Sequence, residues 1–243
     1  FCFFFFVVFF VVFFFFLFFV FFFSSRRRHT RCSGVSWARR CVIRDRINDE
    51  WLIRDQGAVV RQLGWDPKEY ALDLIAREGG PEKCIKPFHP SIDKVGPYTG
   101  HGNDNKWGSK YADILNKIMN ADLSVIPSEY DRAVTGFYPG GVELYSTDGV
   151  DNFWTKLRAA FPTSVFSIDH QIGREDPMMS PRSAIRWSLT GKHEGWGAFG
   201  KPTGAEVHVM GASHVEFGPW GIRREYTLYD ETSIWKQIAM KTG

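Results

Sequence analysis

Asp230 closes a strand-like run in which alternation sets Ile222, Arg224, Tyr226, Leu228 and Asp230 on one face. With Ile222 and Leu228 turned inward, Asp230 would stand at the wall of an apolar cavity. Burial there raises a carboxylate's pKa toward the range where it can take a proton from carbon and return it. The competing role is structural, because an aspartate between a strand and a helix caps the helix, here Glu231–Met240. Asp55 sits at the same kind of junction, which suits a cap in both places.

Four histidines fall in the strands and adjoining loop of the C-terminal half: His170, His193, His208 and His214. His170 shares parity with Phe166 and Ile168 and is expected to face the cavity. His193 ends a Trp-x-x-x-Gly-x-His run at the cavity mouth. His208 and His214 share a face unless Gly211 introduces a bulge. A histidine near a carboxylate can polarise a carbonyl or shuttle a proton, whereas a hydrogen-bonded sheet histidine does neither. Arg186 could hold a substrate carboxylate or enolate oxygen, or pair with Glu225 or Asp169 across the sheet. Trp187, Trp196, Trp220, Phe199 and Tyr226 would line or lid a pocket for a flat, apolar ligand, or serve as ordinary core. The candidate substrate contacts are therefore Arg186, Trp187, Tyr226, His208 and Trp196, beside Asp230, His170, His193 and His214 for the chemistry. No tight ligand spacing supports a metal site, and 195–200 lacks the lysine-serine ending of a phosphate loop. No metal or organic cofactor is expected.

The elements that must position these residues follow from periodicity. Asp66–Arg77 reads as a helix, with Pro67 at its start and Ala71, Leu72, Leu74 and Ile75 as its apolar stripe. Residues 81–106 carry four of the twelve prolines and are expected to be a linker packed on the surface. Trp107–Met119 has helical spacing, Ser128–Ala133 reads as a second short helix after Pro127, and Val150–Ala160 as a third, closed by Pro162. Ala133–Tyr145 is strand-like, interrupted by Pro139-Gly140-Gly141. Val165–Ile172, Ala184–Thr190, Glu206–Phe217 and Ile222–Tyr229 are four strand signals separated by turns. Helices followed by a run of antiparallel strands give an α+β order, with a curved sheet wrapped round N-terminal helices.

Residues 47–63 and 222–238 align without a gap, with Ile, Glu, Asp and Gln identical at four positions. Each copy predicts a strand running into a short helix. A repeat of this length implies two related domains. The expected organisation is a C-terminal remnant of a first domain at 35–80, the linker at 81–106 and a complete domain at 107–243.

Residues 1–25 contain only Phe, Val, Leu, Cys and Ser. Phe has the codon TTT, and each of the others has a codon one base away, so a translated poly-T tract gives this composition. Residues 24–32 resemble sequencing-adapter read-through. A membrane anchor followed by an arginine cluster is the rival reading. We take 1–34 as an artefact and expect no membrane association. Arg26, Arg27, Arg28 and Arg31 lie there with no acid, so the formal charge of +3 becomes −1 for the rest. Nothing then points to nucleic acid. Cys41 and Cys84 remain, without metal spacing or a disulfide framework, and a reducing cytoplasm is the expected location.

Several local motifs resemble the SnoaL-like branch (polyketide cyclases and ester cyclases) of the nuclear-transport-factor-2-like superfamily. They are Ala160-Phe161-Pro162 before a strand, the run Ile185–Gly195, then Pro202-Thr203-Gly204, and Ile222–Asp230. The resemblance spans 107–243, with 41–63 as the tail of a preceding copy. It implies a cone-shaped α+β barrel of the cystatin-like kind, often dimerised through its sheet. It also implies an acidic residue doing acid/base work in an intramolecular aldol closure on an apolar or aromatic carbonyl ligand. The fold also hosts isomerases, dehydratases, hydrolases and non-catalytic binding modules, so it does not give the function. The expectations are a cyclase or isomerase using Asp230, a ligand-binding or dimerisation module, or a hydrolase or dehydratase.

Overall fold

The computed structural model describes residues 38–43, 46–94, 96 and 98–242, and the side chains of 52–242 among them. The readings of residues 1–34 lie outside the described residues. Two compact units divide at Leu52/Ile53. In the first, β1 (Ala38–Ile43) and β2 (Arg46–Leu52) pair antiparallel, with an irregularity between Cys41 and Val42.

The second unit starts with two helices, α1 (Gln56–Gln62) and α2 (Pro67–Arg77). Asp66 caps α2 by accepting from the Lys68 and Glu69 amides, and Pro67 fills the first turn, where no amide proton is needed. Next come α3 (Asn105–Met119), α4 (Val125–Glu129), β3 (Tyr130–Tyr138), β4 (Val142–Tyr145) and α5 (Ser146–Ala160). Strands β5 (Val165–Arg174), β6 (Arg182–Lys192), β7 (Glu206–Gly218) and β8 (Gly221–Tyr229) lead into α6 (Glu231–Thr242). The short helix expected at Ser128–Ala133 instead spans Val125–Glu129. Pro127 is tolerated inside its first turn, and Tyr130 already begins a strand.

The expected α+β order holds. One six-stranded sheet runs β4-β3-β8-β7-β6-β5, antiparallel except for the parallel β3/β8 pair. The helices cover its inner face. Tyr111, Ile114, Leu115 and Ile118 of α3 and Val150, Trp154, Leu157 and Ala160 of α5 recur every three or four residues, so each helix turns one apolar stripe to the sheet. Ile185, Trp187 and Leu189 of β6 and Val207, Val209, Val215 and Phe217 of β7 meet them.

Two irregularities in the ladder decide which side chains point inward. Ile168 pairs with Trp187 and His170 with Arg186, leaving Asp169 as an extra residue in β5. Ile222 pairs with Phe217 and Arg224 with Glu216, leaving Arg223 as an extra residue in β8. One inserted residue exchanges the faces of everything beyond it. The strict alternation expected for both strands is therefore corrected. Ile222 points inward, but so do Glu225, Thr227 and Tyr229, while Arg224 and Tyr226 point outward. His170 shares the outer face with Arg186 rather than the inner face with Phe166 and Ile168.

Gly211 makes no bulge, since β6 and β7 stay in register from Arg182/Glu216 to Lys192/Glu206. It makes room instead: a β-carbon there would lie 2.1 Å from the Trp187 ring. Among the described residues, no helix is long and apolar enough to cross a membrane.

Candidate functional site

The inner face holds one carboxylate at its centre. Glu225 is fully buried, and its register neighbours on β7 and β3 are Val215 and Gly136. Every side chain that touches its oxygens donates a hydrogen bond. Tyr111 of α3 donates to Oε1 at 2.9 Å, and Trp154 Nε1 of α5 to the same oxygen at 3.1 Å. Tyr138 of β3 donates to Oε2 at 3.0 Å, and Thr227 reaches Oε1 at 3.3 Å. The buried Tyr130 hydroxyl lies close enough to favour the ionised carboxylate but makes no hydrogen bond of ordinary geometry.

The network continues through Thr227 to Ser213 at 2.8 Å, and Ser213 accepts from Trp187 Nε1 at 2.9 Å. Two helices and four strands thus contribute to the network around one carboxyl group. Among the described residues no lysine, arginine or histidine is ion-paired with it.

Burial pushes the Glu225 carboxyl above the ordinary carboxylate range, and the tyrosine and tryptophan donors pull it back without cancelling the rise. Burial and the neighbouring carboxylate push Tyr111 and Tyr138 well up, so both stay protonated donors at neutral pH. A carboxylate in a dry site, held by neutral donors, is suited to exchanging a proton with carbon.

The sequence-predicted residues distribute differently. Asp230 Oδ1 accepts from the Thr232 amide at 3.0 Å, the Thr232 hydroxyl at 2.7 Å and the Ser233 amide at 3.2 Å, which is the geometry of a helix cap. Burial raises its pKa even so. Asp55 likewise caps α1 through the Ala58 amide.

Trp187 is wholly buried on the inner face. His193 is buried just beyond β6, between Phe161 and Phe199, with Nδ1 3.1 Å from the Thr203 hydroxyl; burial lowers its pKa. Trp196 is 71% exposed and Trp220 78% exposed.

His170, Arg186, His208, His214 and Tyr226 all lie on the outer face. His170 Nε2 reaches the Gly100 carbonyl at 2.8 Å, and its ring stacks on His101. Tyr226 stacks on Phe137 at 4.7 Å between ring centroids and lies opposite His214 in the ladder. Arg186 pairs with Asp93 at 2.7 Å and approaches Asp169 at 3.6 Å; Glu225 is on the other face. The outer-face group does not converge with the Glu225 network. Among the described residues no cluster of three or more histidine, cysteine or acidic side chains could hold a metal ion.

Sequence reasoning passed over Glu225, treating it only as a possible partner for Arg186. The available signal was the set of tyrosines and tryptophans on helical and strand faces turned toward one strand, each needing an acceptor if buried.

No protein-family model matches the chain, and no curated protein matches it. Solved structures do. One is from Jannaschia sp. CCS1, titled a SnoaL-like polyketide cyclase by inference; it is 10% identical, with 56% of this chain and 96% of that chain covered and a TM-score of 0.47. IdmH from Streptomyces antibioticus, also a polyketide cyclase by inference, is 16% identical over 54% of this chain and 96% of its own, with a TM-score of 0.45. A protein from Acidithiobacillus ferrooxidans, titled a polyketide cyclase on the same footing, is 19% identical over 54% and 96%, with a TM-score of 0.43.

Proposed function

We propose that the inner face of the sheet is an acid/base site for a small, apolar carbonyl compound, with Glu225 as the proton-transfer group. The observation that carries this reading is a fully buried carboxylate held by neutral donors and, among the described residues, ion-paired with no cation; burial pushes its pKa up. In its ionised form Glu225 takes a proton from the carbon next to a substrate carbonyl. Negative charge then moves from the carboxylate to the enolate oxygen, and the Tyr111 and Tyr138 hydroxyls that held the first can turn to the second.

The neutral carboxyl returns its proton to another carbon, which is an isomerisation. Alternatively the enolate carbon attacks a second carbonyl of the same molecule, and the carboxyl protonates the resulting alkoxide, which is an aldol closure. Glu225 takes the place first given to Asp230, because one Asp230 oxygen is committed to the start of α6.

A specific observation favours a non-catalytic alternative: Tyr111, Trp154 and Trp187 are themselves fully buried. On that reading the network is a strut that fixes α3 and α5 to the sheet.

The two readings separate in a deuterium-exchange experiment on the full chain. With α-tetralone as probe, the parent protein is expected to speed exchange at the carbon next to the carbonyl. Glu225→Gln should lose about a hundredfold of that rate or more, while Asp230→Asn keeps most of it. Exchange in the parent no faster than in buffer, or unchanged in Glu225→Gln, would leave the strut.

The alignment of 47–63 with 222–238 supports a further proposal, that the chain contains a duplicated strand–helix unit. In both copies a strand runs into a helix whose first turn is capped by aspartate, Asp55 in one and Asp230 in the other.

A further inference from the structure

On the outer face of the sheet, Thr190 and His208 lie directly opposite each other in the β6/β7 ladder. The Thr190 hydroxyl oxygen is 2.7 Å from His208 Nδ1, and His208 Nε2 is 2.9 Å from Asp93 Oδ2. Asp93 arrives from the 86–104 segment, its side chain only 3% exposed, and its other oxygen accepts from Arg186 at 2.7 Å. Arg186 in turn approaches Asp169.

The main chain of His208 is fixed as well. Gln237 of α6 accepts from its amide at 2.7 Å and donates to its carbonyl at 2.9 Å. Thr190 itself is exposed.

These partners select one tautomer of the neutral ring. Asp93 accepts from Arg186 through one oxygen, and the tautomer with its proton on Nε2 lets His208 donate to the other. In the neutral imidazole Nδ1 is then a bare lone pair, and the group it faces is the Thr190 hydroxyl. An exposed hydroxyl, a buried imidazole and a buried carboxylate in series are the parts of an activated nucleophile.

We propose that Thr190, His208 and Asp93 form a nucleophilic site for small carboxylic esters on the face of the sheet opposite Glu225. The acyl group is apolar: Val165, 67% exposed, pairs with Thr190 on this face, and Phe88 packs near the His208 ring. Lys192 lies two residues along the same face of β6, opposite Glu206 in the ladder.

Thr190 Oγ1 bonds to the acyl carbon as its proton passes to His208 Nδ1. The bond from acyl carbon to ester oxygen then breaks, and the imidazolium returns the proton to the departing alcohol. Water, deprotonated by the same nitrogen, hydrolyses the acyl-threonine and restores the hydroxyl.

The test uses the full chain with p-nitrophenyl acetate, following nitrophenolate release and locating the acetyl group by mass spectrometry of peptides. The parent is expected to carry acetyl on Thr190. Thr190→Val should lose that adduct and slow release about tenfold or more. Thr190→Ser should speed release with the acetyl group still found at position 190, because the γ-methyl no longer crowds the nucleophile; side chains exposed by misfolding would carry the acetyl elsewhere. His208→Gln should resemble Thr190→Val. The proposal is overturned if the parent carries no acetyl on Thr190, or if Thr190→Val releases nitrophenolate as fast as the parent.

Discussion

Trp187 lies flat over Gly211, so close that a β-carbon on the glycine would sit 2.1 Å from its ring. The ring nitrogen is thereby brought to the Ser213 hydroxyl at 2.9 Å, and Ser213 leads through Thr227 to Glu225. The missing side chain on β7 and the buried carboxylate on β8 belong to one arrangement.

Gly211→Ala is therefore expected to push Trp187 off the sheet and to cost about 1–3 kcal/mol, as overpacking a filled core does. Urea unfolding followed by near-ultraviolet circular dichroism reports both effects. An unshifted midpoint with an unchanged tryptophan signal would mean that the ring is not held against the glycine.

Glu225 predicts a pH dependence with a definite sign. Its carboxyl is raised in the folded protein, so the folded state binds that proton more tightly than the unfolded chain does. The stabilisation is complete below the ordinary glutamate value of 4.5 and fades as pH rises through the raised one. Glu225→Gln carries no such proton, so it should gain stability relative to the parent as pH climbs from about 4.5 toward neutrality. Parallel unfolding curves for the two proteins across that range would remove the raised carboxyl.

His214 predicts the opposite slope. Burial, and then the charge of Arg182, lower its pKa from 6.5 to about 3. The folded state therefore resists protonation that the unfolded chain accepts, and stability is lost as pH falls below 6.5. At pH 5 this amounts to ~2 kcal/mol relative to neutral pH. His214→Gln should flatten that part of the curve, and a variant that loses stability in acid as steeply as the parent would refute the assignment.

The two capping aspartates should not be equally costly to remove. Asp230→Ala loses a helix cap, worth about 1 kcal/mol. Asp55 caps α1 and also accepts from the Gly140 amide at 2.9 Å and the Gly141 amide at 3.3 Å, in the turn between β3 and β4. Asp55→Ala leaves those amides without their acceptor, adding about 1–3 kcal/mol. Equal losses in urea denaturation would mean that the contact with the turn contributes nothing.

The elements themselves were legible from local chemistry. Pro67 behind Asp66 marked the start of α2, the spacing of Tyr111, Ile114, Leu115 and Ile118 marked α3, and alternation marked β5 to β8. Asp230 could be expected to cap because capping is a contact within three residues. The α+β order of helices and antiparallel strands followed from these signals.

Which residues face inward did not follow, because alternation is a rule about neighbours and one extra residue reverses it. The insertions at Asp169 and Arg223 are set by pairing with β6 and β7, and no composition signal marks either position. They move His170 and Tyr226 outward and carry Glu225 into the interior. Likewise Asp93 reaches Arg186 and His208 across 93 and 115 residues of chain. The sequence by itself placed the Asp55 and Asp230 caps and most strands and helices, since these signals are a few residues long, though not the short helix that lies at Val125–Glu129. Only the tertiary structure decided which carboxylate is buried and which histidine meets a hydroxyl, since those depend on register between strands far apart in the chain.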